Sequence, residues 1–325
     1  MQKIVVMIPE ADQYRDRFEA AAAGRAQLIW INPEKEDEAV PEDADAIIGA
    51  PSRRVVHSMK QLKWLQATFA GVEGYVSDPQ FPGDAVLTNA TGAFGVVISE
   101  YILAGILASC RRLYQYKDQQ RRECWRDAGS ETMLYGKRAL ILGAGDIGSQ
   151  TAKRLAVFDV YTVGMRRTPQ GPQPYFQEII GPEALDSELA QADFVIGCLP
   201  STPETIHMLD ERRLRLMKQG AMIVNVGRGS LIDTDALVKE LENGHISAAV
   251  LDVFEQEPLP ADHPLWKMEQ VCVTPHISGK SFGHGAQTQD AVAGICIENL
   301  DRYLSGKPLK NRVSFACGYA EKNKI

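Results

Sequence analysis

The sequence predicts an α/β protein built from two doubly wound parallel-sheet domains. At 325 residues the chain exceeds one typical domain and can bury two cores. From Arg138 onward, short apolar runs alternate with helical segments, and repeated strand–helix–strand units form parallel sheets covered on both faces. The first hundred residues repeat this pattern more loosely, which predicts the second α/β domain.

The first domain is predicted to be discontinuous. Its strand candidates are KIVVMI, QLIWI, AIIGA, LKWLQAT and AVLTN. Long helical patterns run from Ser99 to about Cys124 and from about Gly285 to Leu304. Because these helices flank the middle of the chain, the C-terminal segment is expected to return to the first domain. The predicted division is therefore 1–101 with 285–325 for one domain and 102–284 for the other.

Six apolar runs predict the strands of the inserted domain: RALIL, VYTVG, FVIGCLP, AMIVNVG, ISAAVLDV and VCVTPH. Gly220 and Gly244 stand where the intervening helices are expected to end, since glycine readily adopts the left-handed conformation that terminates many helices.

Composition and charge exclude several classes of protein. Lys+Arg 35 against Asp+Glu 42 gives a net charge of −7, so the chain lacks the basic field that attracts nucleic acid. The start of the chain does not read as a signal peptide, and no apolar run reaches about 18 residues, which predicts no membrane partner. The six cysteines never form a C-x-x-C pair, which argues against a metal site or a disulfide framework and favours a cytoplasmic location.

The segment LGAGDIGS contains a G-x-G-x-x-G motif formed by Gly143, Gly145 and Gly148, with Asp146 and Ile147 between the last two glycines. It directly follows a predicted strand and opens a helical segment. In that context the first glycine permits a tight turn, the second lets a pyrophosphate approach, and the third lets the helix pack on the strand. A Rossmann-type dinucleotide site is predicted; a tight turn without a ligand is the alternative.

The end of the next strand indicates which dinucleotide is bound. NAD sites usually place an Asp or Glu about 20 residues after the glycines, but Arg166, Arg167 and Thr168 stand there. Guanidinium groups can pair with a 2′-phosphate that a carboxylate would repel, and the hydroxyl adds a donor. NADP(H) is therefore the preferred cofactor. Exposed arginines in an enzyme that uses NAD(H) are the alternative.

Several stretches together closely resemble the D-2-hydroxyacid dehydrogenase family: NVGRGSLID, LDVFEQEPLP, VTPHISG, GAGDIG, CLPSTPETIHML and ATFAGVEG. The resemblance covers nearly the whole chain and is strongest from about Arg138 to Gly279. It implies a Rossmann-type cofactor domain inserted into a smaller flavodoxin-like substrate domain, and a homodimer.

The resemblance also implies three catalytic residues. Arg228 would grip a 2-oxo acid, His276 would donate the proton, and Glu257 would orient and charge the imidazole. Each role suits its side chain, because guanidinium offers a rigid fork of donors, histidine titrates near neutral pH, and a neighbouring carboxylate favours imidazolium.

Further binding positions follow from the same resemblance. The substrate would contact Ala70 and Gly71 as well as Arg228 and His276. The cofactor would contact, besides the glycine loop and the arginines, Cys198, Leu199, Pro200, Thr205, Val226, Asp252 and His276.

The expected activity is reduction of a small 2-oxo acid to the D-2-hydroxy acid, with glyoxylate or hydroxypyruvate as the leading substrates. A branched or aromatic 2-oxo acid remains open. Because the sequence ends at Ile325, an added regulatory domain is not expected, which disfavours a regulated phosphoglycerate dehydrogenase. A dinucleotide-sensing, corepressor-type interaction protein with the same fold is the alternative.

Overall fold

The chain divides into two units, Met1–Phe94 with Lys280–Ile325, and Gly95–Gly279. The computed structural model describes residues 1–35, 40–169, 171–280, 282, 285–316 and 319–320. The division falls just before the helix that begins at Gly95, so the sequence-based boundary at residues 101 and 102 lies inside that helix.

The first unit is built on a parallel sheet of five strands in the order β2-β1-β3-β4-β5. These strands are β1 (Gln2–Met7), β2 (Ala26–Trp30), β3 (Ala46–Gly49), β4 (Trp64–Ala67) and β5 (Val86–Thr88). The α-helices are α1 (Arg15–Ala22), α2 (Arg53–Ser58), α3 (Glu73–Val76) and, after the second unit, α10 (Ala286–Leu304). A short antiparallel pair, β13 (Val313–Ser314) and β14 (Tyr319–Ala320), follows α10.

The central strands of this sheet are buried on both faces. Ile4, Val5 and Val6 of β1 and Ile47 and Ile48 of β3 have no solvent exposure. A parallel strand covered on both faces needs a continuous apolar run rather than alternating apolar and polar residues. The runs KIVVM and AIIG therefore predict buried strands.

Buried polar side chains tie the C-terminal helix to this sheet. Asn299 of α10 donates from Nδ2 to Gln66 Oε1 on β4 at 2.7 Å, and Asn299 Oδ1 accepts from the Lys310 amide at 2.8 Å. Asn299 and Gln66 are fully buried, so these hydrogen bonds satisfy groups that water cannot reach.

The second unit carries a seven-stranded parallel sheet in the order β12-β11-β10-β9-β6-β7-β8. Its strands are β6 (Arg138–Leu142), β7 (Tyr161–Met165), β8 (Glu178–Ile180), β9 (Phe194–Gly197), β10 (Ala221–Asn225), β11 (Ile246–Leu251) and β12 (Val271–Val273). Its α-helices are α4 (Gly95–Cys110), α5 (Leu113–Arg121), α6 (Asp146–Ala156), α7 (Leu185–Leu189), α8 (Glu211–Leu216) and α9 (Thr234–Glu242). The two parallel-sheet α/β domains confirm the predicted fold class.

Strand β6 starts the sheet at its centre, with β7 on one side and β9 on the other. The chain therefore reverses its direction of travel across the sheet beside β6. In doubly wound sheets, ligands bind at the carboxyl ends of the strands at such a switch point.

Three features of the second unit differ from the sequence prediction. The helix expected from Ser99 to about Cys124 begins at Gly95 and is interrupted after Cys110. Arg112 has φ 50°, and a left-handed residue cannot continue a right-handed helix. Strand β8 is absent from the prediction because three residues at a sheet edge give no detectable apolar period. Gly244, with φ 74°, directly follows the last turn of α9 as predicted. The prediction for Gly220 is wrong, because α8 ends at Leu216 and Gly220, with φ 80°, lies in the turn that enters β10.

Candidate active site

The glycine loop joins β6 to α6 and is shaped by two close approaches within the protein. Gly143 has φ 109°, and a Cβ there would lie 3.0 Å from the carbonyl oxygen of Cys198. A Cβ on Gly148 would lie 2.0 Å from the carbonyl oxygen of Gly143. Gly145 is different, because a Cβ there would meet no atom within 4 Å. The fold demands glycine at 143 and 148, whereas Gly145 borders open space.

The amino end of α6 begins directly after Gly145 and presents main-chain N–H groups at the end of a helix of 11 residues. Asp146 Oδ2 accepts a hydrogen bond of 2.9 Å from the amide of Gly95. Burial raises the pKa of Asp146, although that hydrogen bond opposes the rise. Ile147 is half-buried and its carbonyl accepts from the Thr151 hydroxyl at 2.8 Å.

Two arginines follow β7, the strand beside β6. Arg166 is half-buried, whereas Arg167 and Thr168 are exposed. The amide of Arg166 donates to Ile180 on β8 at 3.0 Å, which fixes the start of this segment. The pKa of Glu204 is lowered, first by a hydrogen bond with Thr202 and in lesser part by the charge of Arg167.

The loop after β9 lies against the glycine loop and the loop after β10. The Cys198 amide donates to Leu142 at 2.9 Å, and a Cβ on Gly227 would lie 2.5 Å from the carbonyl oxygen of Leu199. Thr205 Oγ1 donates to the Pro200 carbonyl at 2.7 Å. Burial raises the pKa of the Cys198 thiol to about 12, so it stays protonated and is a lining group rather than a nucleophile.

Arg228 lies in the loop after β10, which Asn225 shapes. Asn225 Nδ2 donates to the Arg228 carbonyl at 3.0 Å, and its Oδ1 accepts from the Gly227 amide at 3.2 Å. The Val226 amide donates to Gly197 at 3.1 Å. Arg228 Nη1 donates to the Gly227 carbonyl at 2.7 Å, so its guanidinium folds back beside its own loop.

Glu257 and His276 form a direct pair. His276 Nδ1 lies 2.8 Å from Glu257 Oε2, and Glu257 Oε1 accepts from the Phe254 amide at 2.9 Å. Their side chains are 50% and 36% exposed, so both are accessible from solvent. A carboxylate at Nδ1 holds the ring and leaves Nε2, on its far side, for proton exchange.

Asp252 anchors the turn that carries His276. Its carboxylate has no solvent exposure and accepts hydrogen bonds from the Thr274 hydroxyl at 2.6 Å, the Ile277 amide at 2.8 Å and the Ser278 amide at 2.9 Å. The His276 amide donates to the Asp252 carbonyl at 2.9 Å. His276 has φ 53°, a conformation that side chains adopt only when their surroundings fix it.

On the first unit, Ala70 and Gly71 lie in the turn between β4 and α3 and are half-buried. Asn89 Nδ2 donates to the Ala70 carbonyl at 2.7 Å, which fixes the turn. The roles of Asn89 and Thr274 could not be predicted from the sequence, because their hydrogen bonds join residues 19 and 22 positions apart. The side chain of Asn225 bonds within its own loop, and its place in the motif NVGRGSLID is the signal that could have found it.

Among the residues that the structure describes, no three His, Cys, Asp or Glu side chains are grouped so that they could hold a metal ion. None of the described helices combines the length and apolarity needed to cross a membrane.

A family model described as "D-isomer specific 2-hydroxyacid dehydrogenase, NAD binding domain" matches residues 103–278. The chain belongs to the D-isomer specific 2-hydroxyacid dehydrogenase family, which confirms the resemblance recognised from its motifs.

Two curated relatives have different named activities. A D-3-phosphoglycerate dehydrogenase of Mycobacterium tuberculosis (strain ATCC 25618 / H37Rv) is 31% identical over 97% of this chain and 59% of its own length. A glyoxylate reductase of Korarchaeum cryptofilum (strain OPF8) is 33% identical over 84% of this chain and 80% of its own. The chain thus spans less than two thirds of the length of the phosphoglycerate dehydrogenase it matches.

Three solved structures share the fold over nearly their whole lengths. A family protein from Aeromonas salmonicida subsp. salmonicida A449 has a TM-score of 0.86 and 32% identity, covering 97% of this chain and 99% of that one. A family dehydrogenase from Xanthobacter autotrophicus Py2, in complex with NADPH and MES, has a TM-score of 0.83 and 29% identity, and the match covers 98% of this chain and 99% of that one. An NADPH-dependent glyoxylate/hydroxypyruvate reductase from Sinorhizobium meliloti, in complex with NADP and sulfate, has a TM-score of 0.81 and 25% identity, and the match covers 98% of this chain and 100% of that one.

Proposed function

We propose that this protein is an NAD(P)H-dependent reductase that converts a small 2-oxo acid to the D-2-hydroxy acid. The observation that carries the proposal is the Glu257–His276 pair at 2.8 Å, which follows strands of the same sheet that supports the glycine loop. An acid–base group placed on a dinucleotide-binding sheet supplies what carbonyl reduction needs from a protein.

Three residues of the second unit have different roles in the proposed reaction. The reduced nicotinamide, when bound, supplies a hydride to the carbonyl carbon. Arg228 binds the substrate's carboxylate and carbonyl oxygen, and its charge stabilises the negative charge that develops on that oxygen. Protonated His276 donates its Nε2 proton to the oxygen. Glu257 holds the ring by Nδ1 and so orients Nε2 for that transfer.

The cofactor residues are proposed from their contacts. Two loops line the carboxyl edge of the sheet beside β6. One is the glycine loop, with Asp146 and Ile147; the other is the half-buried segment of Cys198, Leu199 and Pro200, with Thr205. Val226 and Asp252 follow the next strands of that edge. NADP(H) is proposed as the preferred cofactor, supported by Arg166, Arg167 and Thr168 and by the NADPH in the Xanthobacter structure; NAD(H) is the alternative.

The proposed substrate is glyoxylate or hydroxypyruvate, which the names of the Korarchaeum and Sinorhizobium relatives support. The phosphoglycerate dehydrogenase relatives make 3-phosphoglycerate and its 2-oxo product the competing pair. We assign substrate binding to the first unit, with Ala70 and Gly71 as main-chain donors to the substrate carboxylate, and dinucleotide binding to the second.

A cytoplasmic homodimer is also included in the proposal. For the homodimer, the support is an exposed apolar group on the second unit, where Met133, Tyr135 and Phe158 line one surface hollow and are 65%, 71% and 37% exposed, since apolar side chains gathered at a surface favour association.

The test is to follow nicotinamide absorbance with the purified protein, NADH or NADPH, and several 2-oxo acids that include glyoxylate, hydroxypyruvate and 3-phosphohydroxypyruvate. Faster oxidation of NADPH with the two small acids is expected. Tight dinucleotide binding without turnover of any acid would reject the enzyme and favour a dinucleotide-sensing role.

A further inference from the structure

One carboxylate in the second unit joins three of the loops that carry the proposed site. Glu255, after β11, accepts from His207 Nε2 at 2.6 Å through Oε1 and from the Thr234 amide at 2.9 Å through Oε2. His207 belongs to the loop after β9, and Thr234 opens α9 after β10. We call these three residues the loop clasp.

The main chain around the clasp leaves little freedom for the loops to separate. The His207 amide donates to the Ser230 carbonyl at 2.7 Å, and His207 itself has φ 47°. A Cβ on Gly229 would lie 1.8 Å from the carbonyl carbon of Phe254. The loop after β10 is therefore packed directly on the loop after β11, with His207 placed against both.

The clasp is next to the residues assigned to the chemistry. Glu255 precedes Glu257 by two residues, and Ser230 follows Arg228 by two. Glu257 Oε1 accepts from the Phe254 amide, so the position of Glu257 depends on the same short segment that Glu255 fixes. A shift of this segment would move the carboxylate that holds His276.

The charges around His207 are all acidic. The pKa of His207 is raised, mainly by its hydrogen bond with Glu255 and in lesser part by the charges of Glu255, Asp233 and Asp210, while burial opposes the rise. Burial would raise the pKa of Glu255, but hydrogen bonds from Thr234 and His207 outweigh it and lower that pKa. The charged pair is therefore complete below the ordinary range of histidine and is lost as pH rises through the raised pKa of His207.

We propose that His207, acting through Glu255, is a positioning residue that sets the placement of Glu257 relative to Arg228. This inference rests on the proposed reduction of a 2-oxo acid. The imidazole of His207 bonds to Glu255, and its effect passes through that carboxylate and the segment that leads to Glu257.

The experiment compares His207→Ala, which removes the pair, with His207→Gln, whose amide can still donate to Glu255. In the first unit, His57→Ala is the matched control, because His57 Nε2 also pairs with a carboxylate, Asp78 Oδ2, at 2.7 Å. The kcat/KM with which His207→Ala reduces the substrate should fall on the order of ten-fold, since small misplacements of reacting groups are costly. His207→Gln keeps a neutral donor and should recover only the part of that loss that does not depend on charge, and His57→Ala should match the wild type.

A pH series separates positioning from general loss of structure. The difference in kcat/KM between the wild type and His207→Ala should narrow, without closing, as pH rises through the raised pKa of His207, because the neutral imidazole keeps only an uncharged hydrogen bond to Glu255. The dissociation constant for NADPH should change much less than kcat/KM, since the glycine loop and the arginines after β7 do not belong to the clasp. A ratio of wild-type to His207→Ala kcat/KM that stays constant across the pH range would overturn the positioning role.

Hydrogen exchange gives a readout that does not depend on turnover. In His207→Ala, the amides of Thr234 and Phe254 should exchange faster than in the wild type, while those of β6 stay unchanged. Unchanged exchange at both amides would overturn the clasp. If the wild type reduces a 2-oxo acid and His207→Ala does so with the same kinetics, only this inference is rejected. If the wild type reduces no 2-oxo acid, the proposed function is rejected as well.

Discussion

The hydroxyl of Thr274 donates a 2.6 Å hydrogen bond to the fully buried carboxylate of Asp252. The same hydroxyl oxygen lies 2.6 Å from the phenol oxygen of Tyr101. Because a hydroxyl has one proton and Thr274 commits it to Asp252, Tyr101 must be the donor in the second contact. Burial raises the pKa of Tyr101, which keeps that phenol protonated and able to donate.

Replacing Thr274 by Val keeps the shape of the side chain but leaves Asp252 without one donor and Tyr101 without its acceptor. Each buried group left unpaired costs about 1–3 kcal/mol, and each kcal/mol lowers the Tm of a unit of this size by roughly 2–4 °C. Thermal unfolding followed by circular dichroism should show a Tm several degrees lower. Thr274→Ser, which keeps the hydroxyl, should lose much less; equal Tm values for wild type and Thr274→Val would contradict the network.

Two glycines of the same loop should respond differently to alanine. A Cβ at position 145 meets no protein atom within 4 Å, so Gly145→Ala should fold with nearly the wild-type Tm and bind NADPH at least ten-fold more weakly. A Cβ at position 148 would lie 2.0 Å from the Gly143 carbonyl oxygen, so Gly148→Ala should lose both Tm and binding. Fluorescence titration and thermal unfolding measure the two effects. Wild-type NADPH affinity in Gly145→Ala would show that the dinucleotide does not approach this loop.

The sequence predicted the sheets well because buried parallel strands have a distinctive composition. RALIL and ISAAVL are apolar runs whose inner residues are buried on both faces, and the glycine spacing marked the loop between β6 and α6. The hydrogen bonds of Asp252 and the loop clasp could not be predicted in this way. They join residues 22 and 48 positions apart, and only the strand order decides that those loops become neighbours.

The interruption at Arg112 illustrates a second limit. Its neighbours in the sequence are compatible with a helix, and no Gly or Pro marks a break. The left-handed conformation of Arg112 is selected by the path of the chain, with Arg112 Nε donating to the Ser130 carbonyl at 2.7 Å. Local propensity is too weak to predict such a break, because tertiary contacts override it.

The cofactor preference can be tested by removing both arginines after β7. Replacing Arg166 and Arg167 together by Ala should raise the KM for NADPH about ten-fold or more, because charge-assisted hydrogen bonds to a phosphate contribute about 1.5–3 kcal/mol each. The KM for NADH should change less than two-fold, since NADH lacks the 2′-phosphate. A double variant of Arg122 and Arg126, exposed arginines elsewhere in the second unit, controls for the change in net charge. An equal rise in the KM for NADPH and for NADH would show that the two arginines do not bind the 2′-phosphate.

The pairing of Glu257 with His276 predicts how reduction fails when the carboxylate becomes an amide. Glu257→Gln keeps the size of the side chain and its contact with the Phe254 amide, but it replaces the carboxylate that holds His276 Nδ1 with an amide. Since general acid catalysis contributes about 10²–10⁴-fold, kcat/KM for reduction should fall by at least ten-fold. Glu269→Gln makes the same change at an exposed glutamate and should leave the rate unchanged. The measurement is a pH series of kcat/KM for the three proteins, with NADPH affinity determined in parallel; a Glu257→Gln profile that overlays the wild type would remove Glu257 from the proton transfer.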